Sequence, residues 1–225
     1  MSPRLSRPMQ MRALLAFGGG TDDPRTRLMK NDSTSSPPRG VRLRPARLAD
    51  LPWMALTASD PVAVGEHNWG GEPRCRAEVE DDLRAAFERD GLVGEGGGSL
   101  LVELDDGTRI GTVSWRTERW GPSRGSRCPA FGIALLPEFR GRGHGTEAQR
   151  QLVDYPFQNT SAHRVQSDTA VDNPAEQRSL RKVGMLEEGT VRQAEFRDGE
   201  YHDHTLFSIL RPEWEAQRSA ERPPE

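Results

Sequence analysis

The stretch EFRGRGHGTEA, residues 138–148, alternates glycines with arginines and a histidine. Before it runs CPAFGIALLP, an apolar segment with the look of a buried strand, and after it EAQRQLVDY, which has helical spacing. A buried strand that breaks into a glycine turn and feeds straight into a helix narrows the fold sharply. It sets a helix N-terminus, with its unpaired N–H groups and partial positive charge, at the end of a sheet. That is an element of an α/β domain.

The rest of the chain supplies the partners. VRLRPA alternates and stops at Pro45, a short strand; RLADLPWMALTAS follows at helical spacing. PVAVGEHNWGGEP reads as a loop carrying His67 and Trp69, and RCRAEVEDDLRAAFERDG as an amphipathic helix with Val79, Leu83 and Phe87 on one face and Gly91 as its stop. SLLVELDDGTRIGTVSW predicts two strands joined through Asp-Asp-Gly. CPAFGIALLP, continuously apolar, predicts a strand covered on both faces. The helix after the glycine loop is expected to stop near Pro156, since proline removes a hydrogen bond and crowds the preceding turn. HRVQSDTAV predicts a strand, and NPAEQRSLRKVG a helix with Asn173 as N-cap, Pro174 at its first position and Gly184 at its end. GTVRQAEFRDGEYHDHTLFSIL predicts a hairpin turning at Asp198-Gly199. Residues 1–40 lack periodicity and are rich in Pro, Gly, Ser and Thr, which predicts a disordered tail. The domain is expected over 41–214, with 215–225 a polar C-terminal tail.

Composition excludes several classes. No run approaches the roughly 20 apolar residues of a membrane helix, so no membrane partner is expected. The formal net charge is −3, which argues against nucleic acid. Residues 1–40 hold seven basic and three acidic residues, leaving 24 basic against 31 acidic in the remainder. That acidic remainder favours cationic partners through its field. Cys75 and Cys128 lie far apart and match no metal or redox spacing. The chain reads as cytoplasmic. His202 and His204 share a strand face, but no third metal ligand accompanies them, so no metal is expected.

The glycine loop offers an anion site, with Gly141, Gly143 and Gly145 letting backbone approach a phosphate and Arg140 and Arg142 adding charge. No Lys-Ser/Thr follows the last glycine, and the glycines alternate rather than follow Gly-x-Gly-x-x-Gly, so neither common nucleotide loop fits. A tight turn that binds nothing satisfies the same residues.

Three blocks in order carry a resemblance. RGRGHG after IALLPEF resembles the Arg/Gln-x-x-Gly-x-Gly/Ala signature of the GNAT superfamily of acyl-CoA-dependent N-acyltransferases. DNPAEQRSLRKVGMLEEGTVRQAEFRDGEYHDHTLFSIL resembles the corresponding block of its RimJ/RimL-type branch, and VRLRPARLADLP that branch's opening strand. The likeness covers roughly residues 41–212. It implies a GNAT fold: a mixed, mostly antiparallel twisted sheet of about seven strands flanked by helices, with a splayed strand pair forming an acyl-CoA cleft. It implies acetyl-CoA as donor, its pyrophosphate on the amides from Arg142 through His144 to Thr146, its pantetheine arm along Ile133 and Leu135, and contact with Asn173. A homodimer through the final hairpin is expected by the same analogy.

An amine attacking a thioester needs a base for some acceptors and a proton for the leaving thiolate. Candidate bases or acceptor-side groups are Glu66, His67, Glu118 and Asp203. The branch often has a serine three residues after the asparagine to bond the thiolate; here Glu176 stands there, with Ser179 a turn later and Tyr155 in the preceding helix as further candidates. Trp69, Trp115 and Trp120 are candidates for the acceptor mouth. The resemblance implies direct acetyl transfer in a ternary complex, expected onto a small-molecule amine because the loop 60–73 is long enough to cover a pocket. The alternatives are acetylation of a protein N-terminus of the ribosomal-protein type and non-catalytic acyl-CoA binding.

Overall fold

The computed structural model describes residues 40–67 and 74–221. The expected tail over 1–40 lies outside them except for Gly40, and Trp69 lies outside them altogether. Seven strands, β1 Val41–Pro45, β2 Gly97–Leu104, β3 Arg109–Arg119, β4 Arg127–Leu135, β5 Arg164–Ala170, β6 Leu186–Arg197 and β7 Glu200–Leu210, form one sheet in the order β1-β2-β3-β4-β5-β7-β6. Every pairing is antiparallel except β4 with β5. The helices are α1 Leu51–Ala58, α2 Pro61–Val64, α3 Arg76–Asp90, α4 His144–Asn159, α5 Pro174–Lys182 and α6 Arg211–Glu221.

The period of two along β2 explains the layering. Leu101 joins Leu51, Met54 and Leu92 under α1 and α3, while Leu100, Val102 and Leu104 join Ala148, Leu152 and Val153 of α4 on the opposite face. Covered on both sides, the left half of the sheet fixes β4. The hairpins turn as expected: Gly107 has φ 87°, and Asp198 and Gly199 have φ 54° and 86°.

Four expectations are corrected. α4 runs through Pro156 to Asn159. Proline costs one hydrogen bond, whereas the extra turn buries Phe157 against Trp214, with ring centroids 5.3 Å apart. Arg211 then donates to the carbonyls of Phe157, Thr160 and Ala162, satisfying the helix end. The segment 215–225 is not all tail, because α6 continues to Glu221, held where Trp214 and Arg218 donate to Asp154. Residues 61–64, expected in a loop, form a helical turn that Asp60 caps through Val62 N–H. Finally, β4 is buried on both faces only near its start. Gly132 to Leu135 are half-buried, since β5 leaves them.

Candidate active site

The parallel contact of β4 with β5 is a single register pair, Ala130 with Gln166. Ser167 Oγ donates to the Phe131 carbonyl, 2.8 Å, and beyond that point the strands part. The gap is a cleft of about 1110 Å³, walled by β4, β5, α5 and the N-terminus of α4. Leu136 N–H bonds Ile110 on the β3 side, whereas the Phe131 and Leu135 carbonyls accept from Ser167 and Arg140 on the other. By strand alternation, the odd-numbered positions of 131–135 turn their peptide edges to the cleft.

At one end of the cleft, Gly141 and Gly143 adopt φ of 72° and 87°, a region costly to other residues. Nothing lies within 4 Å of where a Cβ would stand at either, so the loop is an open cradle at the start of α4. His144 Nδ1, buried in the first turn of α4, has no hydrogen-bond partner among the described residues. These features fit a diphosphate. Arg140 lines the cleft, and its guanidinium donates to the carbonyls of Leu135 and Ala63 at 2.7 Å each. It clamps α2 to the end of β4. Arg142 stays exposed beside the cradle. Arg178 and Lys182, spaced one turn apart on α5, line the same cleft.

Asn173 caps α5, its Oδ1 accepting Glu176 N–H at 3.2 Å, and its residue also lines the cleft. Glu176 sits in the cleft wall, where burial pushes its carboxyl up to about 7 against one hydrogen bond from Gln149. Gln149 is 0% exposed. Its Oε1 accepts from Ser179 Oγ at 2.6 Å, and Ser179 Oγ lies 2.9 Å from Thr146 Oγ1. Ser179 has one proton and gives it to Gln149, so Thr146 donates to Ser179. Tyr155 does not line the cleft: it stands 11 residues past the start of α4, about 16 Å along its axis.

The other end holds groups the sequence did not connect. His204 lies between Asp168, 2.7 Å from Nδ1, and Glu195, 3.2 Å from Nε2. The Asp168 bond holds the imidazole above its ordinary value and the same bond lowers Asp168, which Arg116 also contacts at 3.1 Å. Two carboxylates around one ring favour its charged form, and through them His204 bridges β5, β6 and β7. Arg197, whose side chain is 4% exposed, donates to Glu66 O at 3.1 Å, to His67 Nδ1 at 2.8 Å and to Asp172 at 3.1 Å. His67 thus spends its Nδ1 lone pair on Arg197, which puts the ring proton on Nε2, 3.3 Å from Glu66. Glu66 and His67 line the cleft, as do Trp115, Asp168, Asp172 and His204.

Three expected neighbours lie elsewhere. Glu118 pairs with Arg116 and is not among the cleft-lining residues. Asp203 accepts Gln193 N–H at 2.8 Å, pinning the bulge in β6 that turns Glu195 toward His204. Trp120 donates to Gln166 outside the cleft. His202 and His204 share no metal cluster among the described residues.

Residues 41–186 match a family model described as acetyltransferase (GNAT) domain. Among curated proteins the chain is similar to the Bacillus subtilis protein named "Putative ribosomal N-acetyltransferase YdaF", 31% identical over 115 residues, which is 51% of this chain and 61% of that protein. It is 28% identical over 88 residues to spermidine N(1)-acetyltransferase of Vibrio cholerae, covering 39% of this chain and 51% of that one. The match spans less than two thirds of either relative. Among solved structures, Vibrio cholerae spermidine N-acetyltransferase in complex with CoA and spermine superposes with a TM-score of 0.65 at 22% identity, over 77% of this chain and 97% of that chain. RimL, a ribosomal L7/L12 alpha-N-protein acetyltransferase in complex with coenzyme A, gives 0.63 at 19%, over 76% and 94%.

Proposed function

The chain belongs to the GNAT acetyltransferase family, and on that premise we propose that it transfers an acetyl group from acetyl-CoA to a primary amine of a small cationic molecule. One observation carries this reading: a single cleft joins an anion cradle at the start of α4 to a rim of carboxylates at its far end. The donor's diphosphate belongs on the amides of α4's first turn, and its arm along the cleft-facing edge of β4. A peptide N–H of that edge supplies the preorganised dipole for the developing oxyanion. Glu66 and Asp172, with side chains 81% and 52% exposed at the cleft, draw the cationic acceptor. The similarity to spermidine acetyltransferase supports an amine of this kind.

A second reading, acetylation of a protein α-amine in the RimJ/RimL manner, draws on a different observation. Asp168, His204 and His67 are committed to one another or to arginines, so the acceptor half lacks an unengaged imidazole. About one α-amine in seven is neutral at pH 7, against about one in 2,500 for a lysine-like amine. The less basic acceptor needs less help. We place the protein in the cytoplasm with its donor; among the described residues no helix is long and apolar enough to cross a membrane. A second copy would add at the exposed edge of β6, where Leu186, Val191 and Phe196 face solvent.

Thiol release from acetyl-CoA, followed across polyamines, aminoglycosides, amino acids and short peptides with free Ser, Thr or Ala N-termini, tests this function. Turnover is expected with polyamines or aminoglycosides. Turnover confined to the peptides would replace the first reading by the second, and no release with any of the amines would remove both.

A further inference from the structure

We propose that Thr146, Ser179, Gln149 and Glu176 form a reversible hydrogen-bond chain through which a diphosphate on the α4 cradle loads a proton onto Glu176, the donor of that proton to the leaving sulfur. This rests on the donor site proposed above. Three of the four residues line the cleft, and the fourth, Gln149, is fully buried and joins them.

In the structure the chain runs one way. Thr146 donates to Ser179, Ser179 to the Gln149 carbonyl oxygen, and the Gln149 amide nitrogen to Glu176. Each hydroxyl has a single proton. Thr146 stands in the first turn of α4, beside the cradle. Once its proton goes to a phosphate oxygen, Ser179 is left without a donor. Gln149, sealed from solvent, needs a protein partner at each end of its amide whichever way the chain runs. Reversal restores a protein partner to every member of the chain. Ser179 then donates to Thr146, the Gln149 amide turns to donate to Ser179, and its carbonyl oxygen faces Glu176. Two acceptors now confront each other unless Glu176 carries a proton. Phosphate occupancy and protonation of Glu176 therefore favour each other, and the coupling is reciprocal.

The surroundings leave Glu176 free to respond. α4 presents it with the neutral Gln149. Arg140, Arg178, Lys182, Asp168, Asp172, His67 and His204 line the same cleft, yet burial and Gln149 alone account for the displacement of its carboxyl. In the reaction the amine nitrogen bonds the acetyl carbon, the carbon–sulfur bond breaks, and its electron pair stays on sulfur. Glu176 gives its proton to that sulfur. The amine's proton leaves to water, and water later restores the carboxyl proton. Glu176 acts on the reacting atoms; Thr146, Ser179 and Gln149 position it.

The test is calorimetric titration of the full chain with desulfo-CoA, which has the diphosphate but no thiol, at pH 7 in two buffers of different ionisation enthalpy. Wild type minus Glu176→Gln cancels the ligand's own titration. We expect that difference to be about 0.3–0.5 proton taken up per ligand, because a carboxyl near its midpoint is about half ionised. Thr146→Val, which keeps the shape and removes the hydroxyl, should lose the uptake while still binding, and Thr146→Ser should restore it. Ser179→Ala should lose it as well. Binding without uptake, or uptake unchanged in Thr146→Val, would overturn the coupling and leave the donor site standing. Failure of desulfo-CoA to bind would overturn both.

Discussion

Replacing Glu176 by glutamine is expected to lower kcat by about a hundredfold, the lower end of what a positioned acid contributes. Glutamine keeps the shape and can still accept from Gln149, but it has no acidic proton to give. The pH profile separates loss of the acid from general damage. In the unliganded chain Glu176 is protonated below about 7 and ionised above it; bound donor moves that loss to higher pH, so the step that uses it weakens on the alkaline side. The attacking amine must be neutral, so its contribution grows over the same range. Wild type should therefore show a bell, and Glu176→Gln should lose the alkaline fall and rise steadily with pH. Steady-state rates across pH check this. A variant with kcat within threefold of wild type and the same bell would contradict it.

The second large effect is expected at Arg197. Its guanidinium gathers the Glu66 carbonyl, His67 and Asp172, with Glu195 at 3.9 Å, from within a nearly closed site. Arg197→Ala strands those acceptors, at a cost of about 3 kcal/mol. For a chain of this size that is about 6–12 °C in Tm. The loss should also be directional. Residues 65–67 are fastened to β6 by this arginine, while the α4 cradle has no bond to it. The amine KM should rise about tenfold or more, and the Kd for acetyl-CoA should stay within twofold. Thermal unfolding and the two affinities measure this together. An unchanged Tm, or equal losses in both affinities, would show that Arg197 does not hold the acceptor side.

What could be read from the sequence was what is local. The glycine loop, the Asn173-Pro174 helix start and the Asp198-Gly199 turn are each set by φ demands or caps within a few residues, and each lies where expected. The mostly antiparallel sheet of about seven strands with a splayed pair also follows from the family resemblance, and the match over residues 41–186 bears out that recognition. The charged network did not emerge, because it depends on distant pairings. His204 meets Asp168 through the β5–β7 ladder, and meets Glu195 only because β6 bulges between Val191 and Glu195. No spacing rule encodes that bulge. Gln149 did carry a signal. It sits three and four residues before Leu152 and Val153, a polar residue on the buried stripe of an amphipathic helix, where a partner is required. Helix ends were least legible. Pro156 stops a helix in isolation, but Phe157 against Trp214 outweighs it here.

The central claim is that the cleft between β4 and β5 seats acetyl-CoA on the α4 cradle. Calorimetric titration of acetyl-CoA into the full chain, beside Gly143→Val, tests it most directly. Valine at a φ of 87° would strain the loop and fill the space a phosphate needs. The account predicts saturable one-to-one binding to the wild type and none to a folded Gly143→Val protein. Absence of binding to the wild type, or equal binding to both, would contradict it.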